Sequence, residues 1–204
     1  MNYKNYKKLP TGVILSLITG ILLILIAPED RELGQILKLI YLHGALVNTG
    51  LFLFSAVGLL SLASLFRNSP GFFLLFAIEK TAIIFWVAAT VTGNITSWLA
   101  WGGIFWGEPR LQAMITISLI SISIYLISSA SENPRTISFL GIGLALSVWI
   151  LIVRAGRIMH PDNPFSISEY SIRLFFIVIT LVFLVTSILA IRWQYPDIVK
   201  KKKN

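Results

Sequence analysis

Six long stretches of this chain are almost free of charge, and they constrain its fold more than any motif does. Residues 11–27, 39–66, 71–93, 111–130, 137–153 and 171–193 each come close to or exceed the roughly 20 apolar residues that an α-helix needs to cross a bilayer. A soluble fold would break such blocks with polar residues at period 2 or 3.6. Of 204 residues, 56% are hydrophobic and 13% charged, against about 25% charged in an ordinary soluble domain. The expected architecture is therefore all-α: a polytopic integral membrane protein, one domain over residues 1–204, built as a bundle of six transmembrane helices.

The net charge of +8 does not point to nucleic acid. The lysines gather at the ends (Lys4, Lys7, Lys8 and Lys200 to Lys203), beside hydrophobic segments, where they orient a membrane protein and meet anionic lipid. The first segment follows three lysines, as a signal peptide would. It lacks a small-x-small cleavage site before Pro28 and is long for such a segment, so it is expected to be retained. With no cysteine, disulfides, thiolate metal sites and cysteine nucleophiles are excluded.

Counting Lys and Arg gives an orientation. With the N-terminus inside, Lys4, Lys7, Lys8, Arg67, Arg135, Arg192 and the four C-terminal lysines face the cytoplasm, ten in all. Arg31, Lys38, Arg110, Arg154, Arg157 and Arg173 face outward, six in all. The bias favours cytoplasmic termini, in a cytoplasmic or inner membrane crossed several times.

That topology brings the only two histidines to one face. His43 begins the second segment, and His160 lies in the loop between the fifth and sixth, within Arg157-Ile158-Met159-His160-Pro161. Between them in sequence, on the same face, runs Trp98-Leu99-Ala100-Trp101-Gly102-Gly103-Ile104-Phe105-Trp106. Two imidazoles on separate elements can take the two axial positions of haem iron. Trp98, Trp101, Phe105 and Trp106 offer the flat apolar neighbours a porphyrin prefers. Arg110, Arg154, Arg157 and Arg173 are the cations available for its propionates. The same residues also have plain readings. Tryptophans form interfacial belts, and lone histidines and arginines at helix ends serve as hydrogen-bonding or lipid-contacting groups. Glu79 stands apart, about 12 Å into the third segment, where a carboxylate is costly unless it faces inward to a partner or lies shallow.

With these residues in view, positions 36–165 resemble the haem-handling membrane proteins of cytochrome c maturation, in particular the CcmC branch. Tyr41-Leu42-His43 is similar to that family's first histidine segment, and Ala77-Ile78-Glu79 to the start of its third helix. Thr92-Gly93 then leads to the tryptophan-rich run, and Met159-His160-Pro161 is similar to the second histidine segment. The family pattern is W-G-x-x-W-x-W-D, followed by a basic residue. Trp101, Gly102 and Arg110 match it; Phe105 and Glu108 replace like with like; Gly107 replaces a tryptophan, with Trp106 beside it.

The resemblance implies haem b held for transfer at the outer or periplasmic face. Its axial ligands would be His43 and His160, on a platform that includes Trp101, Gly102, Phe105, Trp106 and Glu108. It also implies delivery to a membrane-anchored haem chaperone, beside ATP-binding-cassette transporter subunits and a small accessory membrane subunit. This chain carries no G-x-x-x-x-G-K-[ST] motif, so any ATPase would be another subunit. No nucleophile and general base are paired in the sequence, so the expectation is a handling protein and not a catalyst. A b-type membrane cytochrome and a small membrane transporter are the competing readings.

Overall fold

The computed structural model describes residues 9–66, 72–156, 158 and 169–203. These form six α-helices: α1 (Leu9–Ile26), α2 (Ile36–Phe66), α3 (Phe72–Trp101), α4 (Pro109–Ala130), α5 (Pro134–Arg154) and α6 (Tyr170–Lys203). In hydrocarbon each backbone N–H and C=O must find its partner within the chain, which leaves a helix as the natural state of an apolar segment. Five of them, α2 to α6, are long and apolar enough to cross a membrane. The apolar stretch of α1, Thr11–Ile26, is shorter.

The ends of the helices follow local chemistry. At the start of α5 the Asn133 side chain accepts from the amides of Arg135 (2.9 Å) and Thr136 (3.4 Å), and Pro134 takes the first helical position. Pro109 does the same for α4. Gly102 ends α3 at φ +75°, the left-handed conformation that a glycine adopts without strain. Between α1 and α2, Asp30 Oδ1 accepts from the amides of Glu32 and Leu33. Lys38 pairs with Glu29 at 3.0 Å, and the buried Tyr41 hydroxyl donates to Pro28 O at 3.3 Å.

Helices α2, α3, α4 and α5 form a closed ring, each touching the next and α5 returning to α2. Helix α6 lies across α2 and α3, and α1 packs mainly on α6. Within the ring neighbours run antiparallel, as do α1 and α6. Ser16 meets Thr186 while Gly12 meets Leu189. Along α2, Ser61 meets Gly141 and Ser55 accepts from Trp149 Nε1. Several seams close over glycine: a methyl added at Gly58 would sit 2.6 Å from Ala145 Cβ, and one at Gly20 would sit 2.9 Å from Phe183. Small residues at such crossings let backbones approach closely, which is how helices associate in lipid.

Polarity is distributed inside out. Leu15, Leu59, Leu119, Phe139 and Val153 are exposed, whereas Thr49, Ser61, Glu79, Ser121, Ser138 and Gln194 are buried. In water an apolar surface of this extent would drive association; in a bilayer it is the solvated face.

Three boundaries differ from the sequence expectation. Helix α2 begins at Ile36, so His43 lies about two turns inside it instead of opening it. Helix α3 continues through Gly93 to Trp101, so Trp98 and Trp101 are helical and only 102–108 is a loop. Gly93 lies inside the helix, and the side chains of Thr92, Asn94 and Thr96 around it bond back to carbonyls of their own helix. Helix α6 continues past Trp193 to Lys203 with Pro196 inside it.

Gly58→Ala should lower stability by about 1–3 kcal/mol through overpacking. The double variant with Ala145→Gly should recover most of that loss. Unfolding in mixed micelles measures both.

Candidate functional site

At one end of the bundle, the α3–α4 connection, the first turns of α2 and the chain leaving α5 come together. His43 is half-buried against α3, its Nδ1 2.9 Å from Ala89 O. A carbonyl oxygen can only accept, so Nδ1 donates, and in that tautomer Nε2 carries the lone pair. A second-shell bond of this kind fixes the ring and the tautomer of metal-binding histidines. The imidazole also packs against Gly93, where a Cβ would stand 2.7 Å from Cε1 and 2.9 Å from Nδ1. Any residue other than glycine would push the ring away.

His43 lines a cavity of about 30 Å³ with Thr90, Gly93, Asn94, Ser97, Trp101, Phe105, Glu108, Leu111 and Met114. Asn94 Nδ2 donates to Thr90 O at 2.8 Å, while its Oδ1 is buried without a partner among the described residues. The Ser97 hydroxyl donates to Gly103 O at 3.2 Å, and Gln112 Nε2 to Trp106 O at 3.1 Å, shaping the loop. The space suits one or two water molecules. It is far below the roughly 300 Å³ at which drug-sized ligand pockets begin, so a macrocycle would lie across the mouth of the cavity.

Glu108 immediately precedes α4 and is 3% exposed. Its Oε1 accepts the backbone N–H of Ile158 at 3.3 Å, and Gly156 approaches Pro109. This bond ties the chain beyond α5 to the α3–α4 connection, fifty residues away in sequence.

Of the residues singled out from the sequence, His43, Trp101, Phe105 and Glu108 meet around the cavity. Trp98 and Trp106 do not line it; they are 59% and 66% exposed. Gly102 serves the turn instead of the lining. Arg110 is half-buried in the first turn of α4, and Arg154 is exposed at the last turn of α5. His160 and Arg157 lie outside the described residues. Thr90, Asn94, Ser97 and Met114 were not singled out. The first three recur on one face of α3 with Gly93 and Trp101, a stripe readable only once the helix is known to pass Gly93.

Among the described residues no three His, Asp or Glu side chains gather as a metal cage. Haem iron asks for less, one donor on each axis, and an anchored His43 fits one of them. Comparison with protein-family models and with curated proteins finds no match for this chain.

Glu108→Ala should free the Ile158 amide, and Glu108→Gln, which keeps a carbonyl acceptor, should not. Hydrogen-exchange mass spectrometry of the peptide spanning residue 158 should show faster exchange in the alanine variant alone.

Proposed function

We propose that this chain is a multi-pass membrane haem-handling protein of cytochrome c biogenesis, which holds haem b at a membrane surface and passes it on. The observation that carries the reading is the Glu108–Ile158 bond. It joins the aromatic α3–α4 connection, beside which His43 is anchored, to the segment that leads into the second histidine. In sequence only Met159 separates Ile158 from His160, which supports drawing the second ligand from this segment.

Haem would supply an iron with two axial positions and a flat apolar ring. His43 would take one position through Nε2, and His160 the other. Trp101 and Phe105, which are 43% and 44% exposed, would cover an edge of the ring, with Trp106 on the outer side of the loop. Arg110 with Arg154 or Arg157 would balance the propionates. A ligand set divided between a helix and a loop suits exchange, because the loop side can release first. The proposed topology has six spans and cytoplasmic termini, with the site facing outside or toward the periplasm. The proposed partners are a membrane-anchored haem chaperone, ATP-binding-cassette transporter subunits and a small accessory membrane subunit.

A b-type membrane cytochrome is the second reading. The observation in its favour is that His43 lies within a helix and bonds to a neighbouring helix, in the manner of buried haem ligands.

Purified protein supplied with haem should show a six-coordinate absorption spectrum. His43→Ala and His160→Ala should each reduce bound haem strongly, and normal spectra in both variants would refute the ligand assignment. Haem that passes to apomyoglobin within minutes fits a handling protein. Haem that stays bound while cycling between redox states fits the cytochrome.

A further inference from the structure

The ring of α2 to α5 encloses a carboxyl group that the cavity at His43 does not use. Glu79 lies on α3 about 10 Å from the start of the helix. It is 1% exposed, and its Oε1 has no hydrogen-bond partner among the described residues. Ionisable groups inside membrane bundles are costly and mark ion or proton sites.

Every helix around it presents oxygen. On α4, Tyr125 lies within electrostatic range of Glu79, and its ring meets that of Phe76, one turn before Glu79, at 6.3 Å. The pairing of α2 with α3, in which His43 meets Ala89 and Gly50 meets Trp86, sets Glu79 at the level of Val57. One turn further along α2 is Ser61, packed on Gly141 of α5, and one turn before Gly141 is Ser138. Both hydroxyls are buried and without partners among the described residues. From α6, Gln194 Nε2 donates to Thr81 Oγ1 at 3.2 Å, while its Oε1 is likewise unpartnered. The nearby cations, Lys80 and Arg192, are exposed and supply no interior countercharge. Toward His43, the packed rings of Phe54 and Trp86, 5.8 Å apart and fully buried, separate this region from the cavity.

Native interiors leave few buried polar atoms unsatisfied. Here four such oxygens, on four different helices, lie in the same half of the bundle. Oxygen-only donors suit a hard cation. One carboxylate balances one positive charge, so a divalent ion would be left half neutralised. We propose that Glu79, with the buried hydroxyl of Ser61 one turn from its level as a further donor, forms a binding site for a small monovalent cation inside the bundle, separate from the site at His43. Its occupant is a proton or a sodium ion, which share this chemistry.

Dicyclohexylcarbodiimide, an apolar reagent that attacks protonated carboxyls, tests the site in the full-length protein in detergent, with peptide mass spectrometry to locate the adduct. Glu79 should be modified. If sodium is the occupant, Na⁺ at about ten times its dissociation constant should reduce modification about tenfold, and choline at equal ionic strength should not. If the proton is the occupant, modification should ignore Na⁺ and persist to a higher pH than modification of the exposed Glu32 and Glu132. Either result supports the site. No adduct at Glu79 under any condition, or an adduct that ignores Na⁺ and is lost at the same pH as those of Glu32 and Glu132, overturns it. The melting temperature should shift with the same cation in the wild type and stay flat in Glu79→Gln; equal shifts also overturn it. Should that variant fail to fold, the wild-type adduct map still decides.

Discussion

Hydrocarbon offers no hydrogen bonds, and the rest of this structure follows from that. A backbone that cannot turn to solvent closes its bonds within helices. Side chains that can bond only to protein turn inward, so hydroxyls, an amide and a carboxyl occupy the interior of the bundle while leucine, isoleucine and phenylalanine cover it. Association then relies on close contact, since apolar side chains gain nothing by leaving lipid for one another. The glycines at positions 58, 93 and 141 stand where that contact is tightest.

Gly93 links packing to chemistry. The absence of a side chain there lets an imidazole from α2 lie directly on the α3 backbone and reach the Ala89 carbonyl. One position therefore sets the distance between two helices, the orientation of a ring and the identity of its protonated nitrogen. The same approach leaves a cavity sized for water, lined in part by Asn94, whose amide oxygen has no partner among the described residues. The aromatic residues beside it remain partly open to the surroundings.

The all-helical architecture was plain from the long uncharged blocks, because hydrophobic length is a strong and local signal. Helix ends were less legible. Apolar length ended the third segment at residue 93, yet α3 continues as helix for eight residues more, to Trp101. Helix α6 likewise runs past residue 193, with Pro196 inside it. The extension of α3 relocates two tryptophans from loop to helix and exposes the stripe of Thr90, Asn94 and Ser97. His43, Trp101, Phe105 and Glu108, which line one cavity, were legible as candidates because their types are rare or matched a pattern. Their separation from Trp98 and Trp106 depends on which face of a turn each occupies, and sequence spacing does not encode that.

The bond between Glu108 and residue 158 is chemically asymmetric. Its acceptor is a particular side chain, buried at the start of α4, whereas its donor is a main-chain amide. The donor position is therefore indifferent to the side chain it carries, with one exception. Proline has no amide hydrogen to give, so it is the one residue type barred at that point by the chemistry of the tether itself.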